Sequence, residues 1–298
     1  MTTITRTLPK TRSTEPAPTR KPSFDVRQIL FWLAVGAIAL FCLAPILWQV
    51  LTSFKVNEDI AAVPNVYFPT RLTLDHYIEL FTRRPFLRYI FNSALVSLVS
   101  TLTCLAIGAP AAYALARLQP FGGRVIQAGI LLITLFPGIL LLQGLLEIVQ
   151  IFRLGNNYLA LIIPYTAINL PLTILVMKSF YQQLPKDLED AARVDGYNTW
   201  QMLTQIVMPL TLPALVTTGI LAFIFAWNEF IFALTFITEE SMKTIPVASA
   251  QIGGASVFEI PYGPIAAATV VGTIPLVLLV LFFQRQIVQG LTAGAVKG

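Results

Sequence analysis

Charge is what this 298-residue sequence has least of: Asp, Glu, Lys and Arg make up 12% of it, against roughly a quarter in an average soluble domain. Too few charged side chains remain to clothe a water-soluble globule of this size. Histidine and cysteine are nearly absent, at one and two residues. Cys42 and Cys104 stand inside apolar runs and read as small fillers, since two isolated thiols define neither a disulfide framework nor a metal site. His76 lies in a polar stretch and is expected at the surface. Alone it can build neither a zinc site nor a histidine-based triad. There is no G-x-S-x-G elbow and no G-x-x-x-x-G-K-[ST] phosphate loop anywhere in the chain. With 17 glycines and 56% hydrophobic residues, collagen-like and disordered classes are excluded too. The mean hydropathy of +0.73 leaves an all-α integral membrane protein. The net charge of +5 then speaks of membrane topology rather than of nucleic acid.

Charge-poor runs place six transmembrane helices near 29–52, 90–113, 125–146, 157–178, 211–237 and 263–284. Each is long enough to cross about 30 Å of hydrocarbon at 1.5 Å per residue. Proline falls within or beside every span (Pro45, Pro110, Pro137, Pro164, Pro171, Pro213, Pro275), so the helices should be kinked. Residues 1–27, rich in Thr, Pro, Arg and Lys, read as a disordered tail. They are not a signal peptide, because the apolar run behind them is too long. Residues 28–285 form the six-span domain and 286–298 a C-terminal tail. With the N-terminus inside, thirteen Lys and Arg fall on the inner side and seven on the outer, which puts both termini in the cytoplasm.

The longest inner polar stretch behind the tail holds a helix pair, 182–208, between spans four and five. Pro185 suits a first helical turn, and Asp187, Glu189 and Asp190 suit the positive helix start. Gly196 should end the first helix. Asn198 and Gln201 form a capping box that restarts the second, and Pro209 stops it. Ala191 and Ala192 leave one side nearly bare between Leu188 and Val194, fit either for a groove on a partner or for this protein's own spans.

Glu189-Asp190-Ala191-Ala192-Arg193-Val194-Asp195-Gly196, nine residues, then Ile206-Val207-Met208-Pro209 resembles the E-A-A-x-x-x-G-x9-I-x-L-P loop of permease subunits of bacterial ABC importers. Asp190 replaces a Glu of that pattern and Met208 a Leu. Ala111-Ala112-Tyr113-Ala114-Leu115-Ala116-Arg117, Trp227-Asn228-Glu229-Phe230 and the terminus Gly290–Gly298 are similar to stretches of the carbohydrate branch. Over residues 25 to 298 the chain resembles the second permease of a maltose-type importer. The resemblance implies a multi-pass protein of the bacterial inner membrane in a heterocomplex. Its partners would be a second permease, a dimer of ATPase subunits that binds ATP and Mg, and an extracytoplasmic sugar-binding protein. No cofactor and no catalytic residue is then expected on this chain. It also implies that Glu189, Asp190, Ala191, Ala192, Asp195, Gly196 and Pro209 couple to the ATPase. Thr292, Gly294, Lys297 and Gly298 would reach between the ATPase subunits, and Gly253, Gly254, Ala255 and Ser256 would enter the binding protein's cleft.

Glu229 is the one carboxylate expected inside a span, which makes it a functional candidate. With Trp227 and Asn228 it can face a sugar path or serve as a structural hydrogen-bonding group. Tyr165, Asn169 and Phe136 are further candidates that equally suit helix packing. An ion-coupled transporter would want paired ionisable groups at mid-membrane, and only Glu229 is there. A permease for a non-sugar solute such as a polyamine is the nearer alternative, with no cluster of acids to favour it.

Overall fold

The structure, a computed structural model, describes residues 26–253 and 260–295. The chain divides into a compact unit ending at Leu47 and a second beginning at Trp48. In the first, helix α1 (Val26–Ser53) begins; past Arg27 and Gln28 its side chains from Ile29 to Leu47 are apolar, and all are exposed.

In the second unit α1 finishes and short helices α2 (Asn57–Ala61) and α3 (Asp75–Thr82) follow. Then come α4 (Phe86–Tyr113), α5 (Gly123–Thr134), α6 (Leu142–Ile151), α7 (Leu159–Gln183) and α8 (Asp187–Val194). They are followed by α9 (Thr199–Leu210), α10 (Leu212–Asn228), α11 (Ile231–Phe236), α12 (Ile245–Ala250) and α13 (Tyr262–Ala295). The described residues contain no strand, only an isolated bridge between Lys55 and Leu72.

Helices α4, α7 and α10 pack on one another at the centre, with α13 against α10. The sequence of α4 explains why. Asn92, Val96, Ser100, Cys104, Gly108 and Ala112 repeat every fourth residue and are all buried, beside a second buried row of Ser93, Ser97 and Thr101. Rows four apart form one ridge of a helix, and small residues let neighbouring backbones come close where lipid supplies no hydrophobic drive. A methyl group on Gly108 would stand 2.7 Å from Thr173 Cγ2, and one on Gly219 would stand 3.0 Å from Leu105 Cδ1.

Among the described residues four helices are long and apolar enough to span a membrane, or up to six if each of two bent pairs counts as one span. The expected third span is not straight. It breaks at residues 135–137, and α5 meets the Gly138–Ile151 segment at 94°. Pro137 offers no N–H and disfavours helical backbone before it. The expected fifth span also breaks: α10 ends at Asn228, and Glu229 takes an extended backbone. The second bent pair, α9 and α10, meets at 81° around Thr211.

His76 is not at the surface. It lies on α3, 3% exposed, and its Nε2 is 2.8 Å from the Lys55 carbonyl. Short α3 packs on the start of α13, where a Cβ on Gly263 would fall 2.3 Å from the imidazole. Only one of the two cysteines is a filler: Cys104 is buried, whereas Cys42 is exposed.

Candidate functional site

The helix pair between α7 and α10 forms as its residue types dictate. Gly196 adopts φ +84°, open to glycine without strain. Asn198 and Gln201 then exchange reciprocal 2.9 Å hydrogen bonds, the Gln201 backbone N–H donating to Asn198 Oδ1 and the Asn198 N–H to Gln201 Oε1.

Helix α8 divides its signature residues between two faces. Glu189 and Ala192 turn inward and are 5% and 3% exposed, whereas Asp190, Ala191, Val194 and Asp195 turn outward. The two alanines therefore do not share one bare face. Ala192 packs with Ala112, Tyr113, Tyr181, Met202 and Leu203 on the ends of α4, α7 and α9. Glu189 Oε1 lies 2.7 Å from Arg117 Nε, with both side chains under a tenth exposed. The two are in charge contact without an aligned hydrogen bond. Arg117 Nη2 donates to the Leu184 carbonyl at 2.6 Å. Tyr113 O–H points at Glu189 Oε2 from 3.4 Å and at Met202 Sδ from 3.2 Å. Arg117 thus ties α8, the turn before it and the end of α4 together. Sequence reasoning gave it no role, although it closes the Ala111–Arg117 stretch. On the outer side Val194, Trp200 and Tyr197 remain exposed beside Asp190 and Ala191.

The breaks at Pro137 and Glu229 meet at a cavity of about 630 Å³, lined by Gly138, Ile139, Ile168, Phe225, Asn228 and Glu229 among others. Glu229 serves as a cap for α11. Its carboxylate accepts the N–H groups of Phe232 at 2.9 Å and Ala233 at 3.1 Å, satisfying orphan donors at a helix start. Tyr165 O–H donates to the same carboxylate at 2.5 Å. Behind it Asn169 donates to the Tyr165 carbonyl at 2.8 Å. Of the six path candidates, Asn228 and Glu229 line the cavity, and Tyr165 and Asn169 are buried behind them. Phe136 is exposed at the Pro137 break. Trp227 turns the other way, donating to the Gly272 carbonyl at 3.1 Å and stacking on Phe223.

At the opposite end of the spans from α8, Gly253 is exposed on the wall of a cavity of about 1010 Å³ that Arg83, Arg84, Glu79, Glu240 and Tyr262 also line. Gly254, Ala255 and Ser256 lie outside the described residues. The segment leading to that loop is pinned by groups that sequence reasoning missed. Asn92 donates to the Ser241 and Lys243 carbonyls at 3.0 and 2.9 Å, and Ser93 Oγ accepts the Ile245 N–H at 2.8 Å. Asn156 Oδ1 accepts the N–H groups of Thr238 at 2.7 Å and Glu239 at 2.8 Å. Glu240 accepts from Lys243 and from Tyr89, and these hydrogen bonds, the Lys243 ammonium foremost, hold its carboxyl below the usual range. Asn92 and Ser93 in an apolar helix and Asn156 in a loop carry no spacing that announces such partners.

Thr292 and Gly294 stand in helical backbone, because α13 runs on to Ala295. Lys297 and Gly298 lie outside the described residues. The described residues hold no group of three His, Cys, Asp or Glu fit for a metal.

Residues 85–293 match the model of a family described as the binding-protein-dependent transport system inner membrane component. The chain is 40% identical over 270 residues to the trehalose/maltose transport system permease protein of Thermococcus litoralis, covering 89% of this chain and 96% of that one. It is 38% identical over 276 residues to the sulfoquinovosyl glycerol transport system permease protein of Agrobacterium fabrum, covering 93% and 96%. Among solved structures, a chain of a bacterial ABC transporter for import of the acidic polysaccharide alginate superposes with a TM-score of 0.72 at 23% identity, covering 90% of this chain and 99% of that one.

Proposed function

Because the chain belongs to the family of binding-protein-dependent transport system inner membrane components, we propose that it is one of two permease subunits of an ATP-driven sugar importer. The observation that carries this reading is the division of α8 into a buried face and an open one. A lever between a separate ATPase and the spans needs both. The outward residues Asp190, Ala191, Val194 and Trp200 offer a surface for a cytoplasmic partner. The Arg117–Glu189 pair passes any displacement of that surface into α4, and Ala192 packing passes it into α7.

In this reading ATP and Mg²⁺ belong to a dimer of ATPase subunits, and this chain contributes no catalytic residue. Thr292, Gly294, Lys297 and Gly298 add a second contact with those subunits. A second permease closes the other half of the path, and an extracytoplasmic binding protein delivers sugar near Gly253–Ser256. Both termini are cytoplasmic, in the plasma membrane. The relatives named above for trehalose, maltose and a sulfoquinovosyl glycerol support a sugar or oligosaccharide cargo. The path runs past the cavity at the two helix breaks, where interrupted spans commonly build transport sites. There Asn228 offers its amide, and Glu229 holds the break in shape.

Affinity purification of the tagged chain from its native membrane, with mass spectrometry of what accompanies it, tests the assembly. A Walker-motif ATPase and a second permease are expected. A Val194→Asp, Trp200→Asp variant should still insert and assemble its spans, yet lose ATP-dependent sugar uptake. Normal uptake in that variant overturns the coupling role. Solute movement by the purified chain alone, without ATP, overturns the importer reading.

A further inference from the structure

A separate pocket of about 210 Å³ lies where α1 ends, lined by Trp48, Thr52, Lys55, Asp59, Asn65 and Tyr262 among others. Lys55 is 2% exposed. Its ammonium donates to the Val66 carbonyl at 2.6 Å and stands 4.2 Å from the centroid of the Trp48 ring. No carboxylate among the described residues is within ion-pair reach of it. Burying an ammonium is costly unless it is paired, and one carbonyl with one indole face offsets only part of that cost. An ammonium has three donors, and only one is committed to the described protein. Thr52, 8% exposed on the same wall, has a hydroxyl with no hydrogen-bond partner among the described residues. The wall's own carboxylate is already used: Asp59 accepts from the Thr70 N–H at 2.7 Å and from the Thr70 hydroxyl at 2.9 Å. The pocket therefore offers an ammonium to anionic oxygen, beside a Thr52 hydroxyl that is closed off from solvent and that no described protein group holds.

Its setting indicates which anion. The pocket sits at the end of an apolar helix, and Trp48 on its wall meets Tyr67 edge to face at 6.1 Å, both exposed. Aromatic side chains with a polar edge are enriched at the level of lipid headgroups. Lysine is a phosphate binder as a point charge, and charge-assisted bonds to phosphate are the strong ones.

We propose that this pocket binds the phosphoryl group of a membrane phospholipid, with Lys55 and Thr52 donating to its oxygens and the Trp48–Tyr67 pair lying against the glycerol and upper acyl carbons. The pocket is held in register from behind by the contact of His76 with the Lys55 carbonyl. Nothing in this site depends on which solute the chain transports.

The test is native mass spectrometry of the full-length chain, extracted from membranes in mild detergent with its partners. The probes are phosphatidylglycerol, the phosphate-free diacylglycerol and inorganic phosphate. Wild type and Lys55→Arg should retain phosphatidylglycerol. Lys55→Met should retain about tenfold less, the loss of one charge-assisted bond, and Thr52→Val several-fold less. Diacylglycerol should not be retained by any of them. Equal retention of phosphatidylglycerol by wild type and Lys55→Met overturns the proposal, as does equal retention of diacylglycerol. Displacement of the lipid by an equal concentration of inorganic phosphate overturns the lipid as the source of the phosphoryl group. Lys55→Met also breaks the bond to Val66. Thr52→Val removes a hydroxyl with no described protein partner, and unchanged retention there overturns the proposal whether or not the Met variant folds.

Discussion

Replacing Arg117 with alanine would leave the Glu189 carboxylate in a protein interior with no opposite charge beside it. Surface ion pairs contribute about 0–1 kcal/mol, but this pair is 6% and 7% exposed and belongs to the buried class. There the removal of one partner costs about 3–5 kcal/mol, because the other charge stays desolvated and unpaired. Arg117 also supplies the donor to the Leu184 carbonyl at 2.6 Å, so the turn ahead of α8 loosens too. At about 1.4 kcal/mol per tenfold, the equilibrium between docked and detached α8 should shift by at least a hundredfold toward detached. Amide hydrogen exchange on the reconstituted protein reads this directly. The amides of residues 189–195 should lose at least two decades of protection in Arg117→Ala, while those of α4 from Asn92 to Cys104 should not change. An Arg117→Met, Glu189→Met pair, which removes both charges and keeps bulk, should recover most of the protection. Unchanged exchange in α8 of the single variant would refute the anchoring argument. So would a double variant no better protected than the single one.

Gly108→Val should destabilise the helical core by about 1–3 kcal/mol, since a Cβ there meets Thr173 Cγ2 at 2.7 Å; thermal unfolding in detergent measures it, and an unchanged midpoint would contradict the close approach of α4 and α7. Glu229→Ala strands the N–H groups of Phe232 and Ala233 at a cost of about 1–3 kcal/mol, whereas Glu229→Gln keeps an acceptor and should cost less; comparing their unfolding midpoints separates capping from charge. Glu240 has a carboxyl held below its ordinary range, so its contacts are fully present above the unfolded carboxylate value of about 4.3 and are lost as pH falls through the folded value. The protection factors of residues 240–245, exchange rates corrected for the intrinsic pH dependence of amide exchange, should therefore fall on acidification in wild type, and in Glu240→Gln they should be lowered already at neutral pH and show no acid step. An identical acid step in the variant would assign the pH dependence elsewhere.

The helical membrane class and the α8–α9 turn were legible because each is written locally. Apolar runs declare spans by composition, and Gly196 with the Asn198–Gln201 box declares a turn by conformation. The breaks were not legible. A hydropathy run reports that residues 125–146 are apolar, not that Pro137 turns the chain through nearly a right angle, and residues 211–237 read as one helix across the Glu229 interruption. Glu229 looked like an unusual charge inside a span, yet it satisfies the backbone of a helix that starts beside it. His76 failed as a surface residue because the polarity of its neighbours says nothing about α13 closing over it. Arg117 and Glu189, 72 positions apart, find each other only in the fold, and so do Asn156 and the Thr238 backbone. Partner choice at such separations is tertiary, and single-sequence periodicity does not encode it.

The two rows of small side chains along α4 also have a mechanical consequence. Long interdigitating side chains lock helices like meshed teeth, and displacement must wait for many of them to change rotamer. Alanine and glycine have no rotamers to change, and serine has only a hydroxyl to swing. From Ser97 to Ala112, where Thr101 and Cys104 are the largest side chains on the two rows, the neighbouring helices therefore meet a nearly smooth rail, on which a short axial slip needs little repacking. Tightness at Gly108 keeps the backbones close during such a slip, much as a flanged wheel holds a carriage to its track.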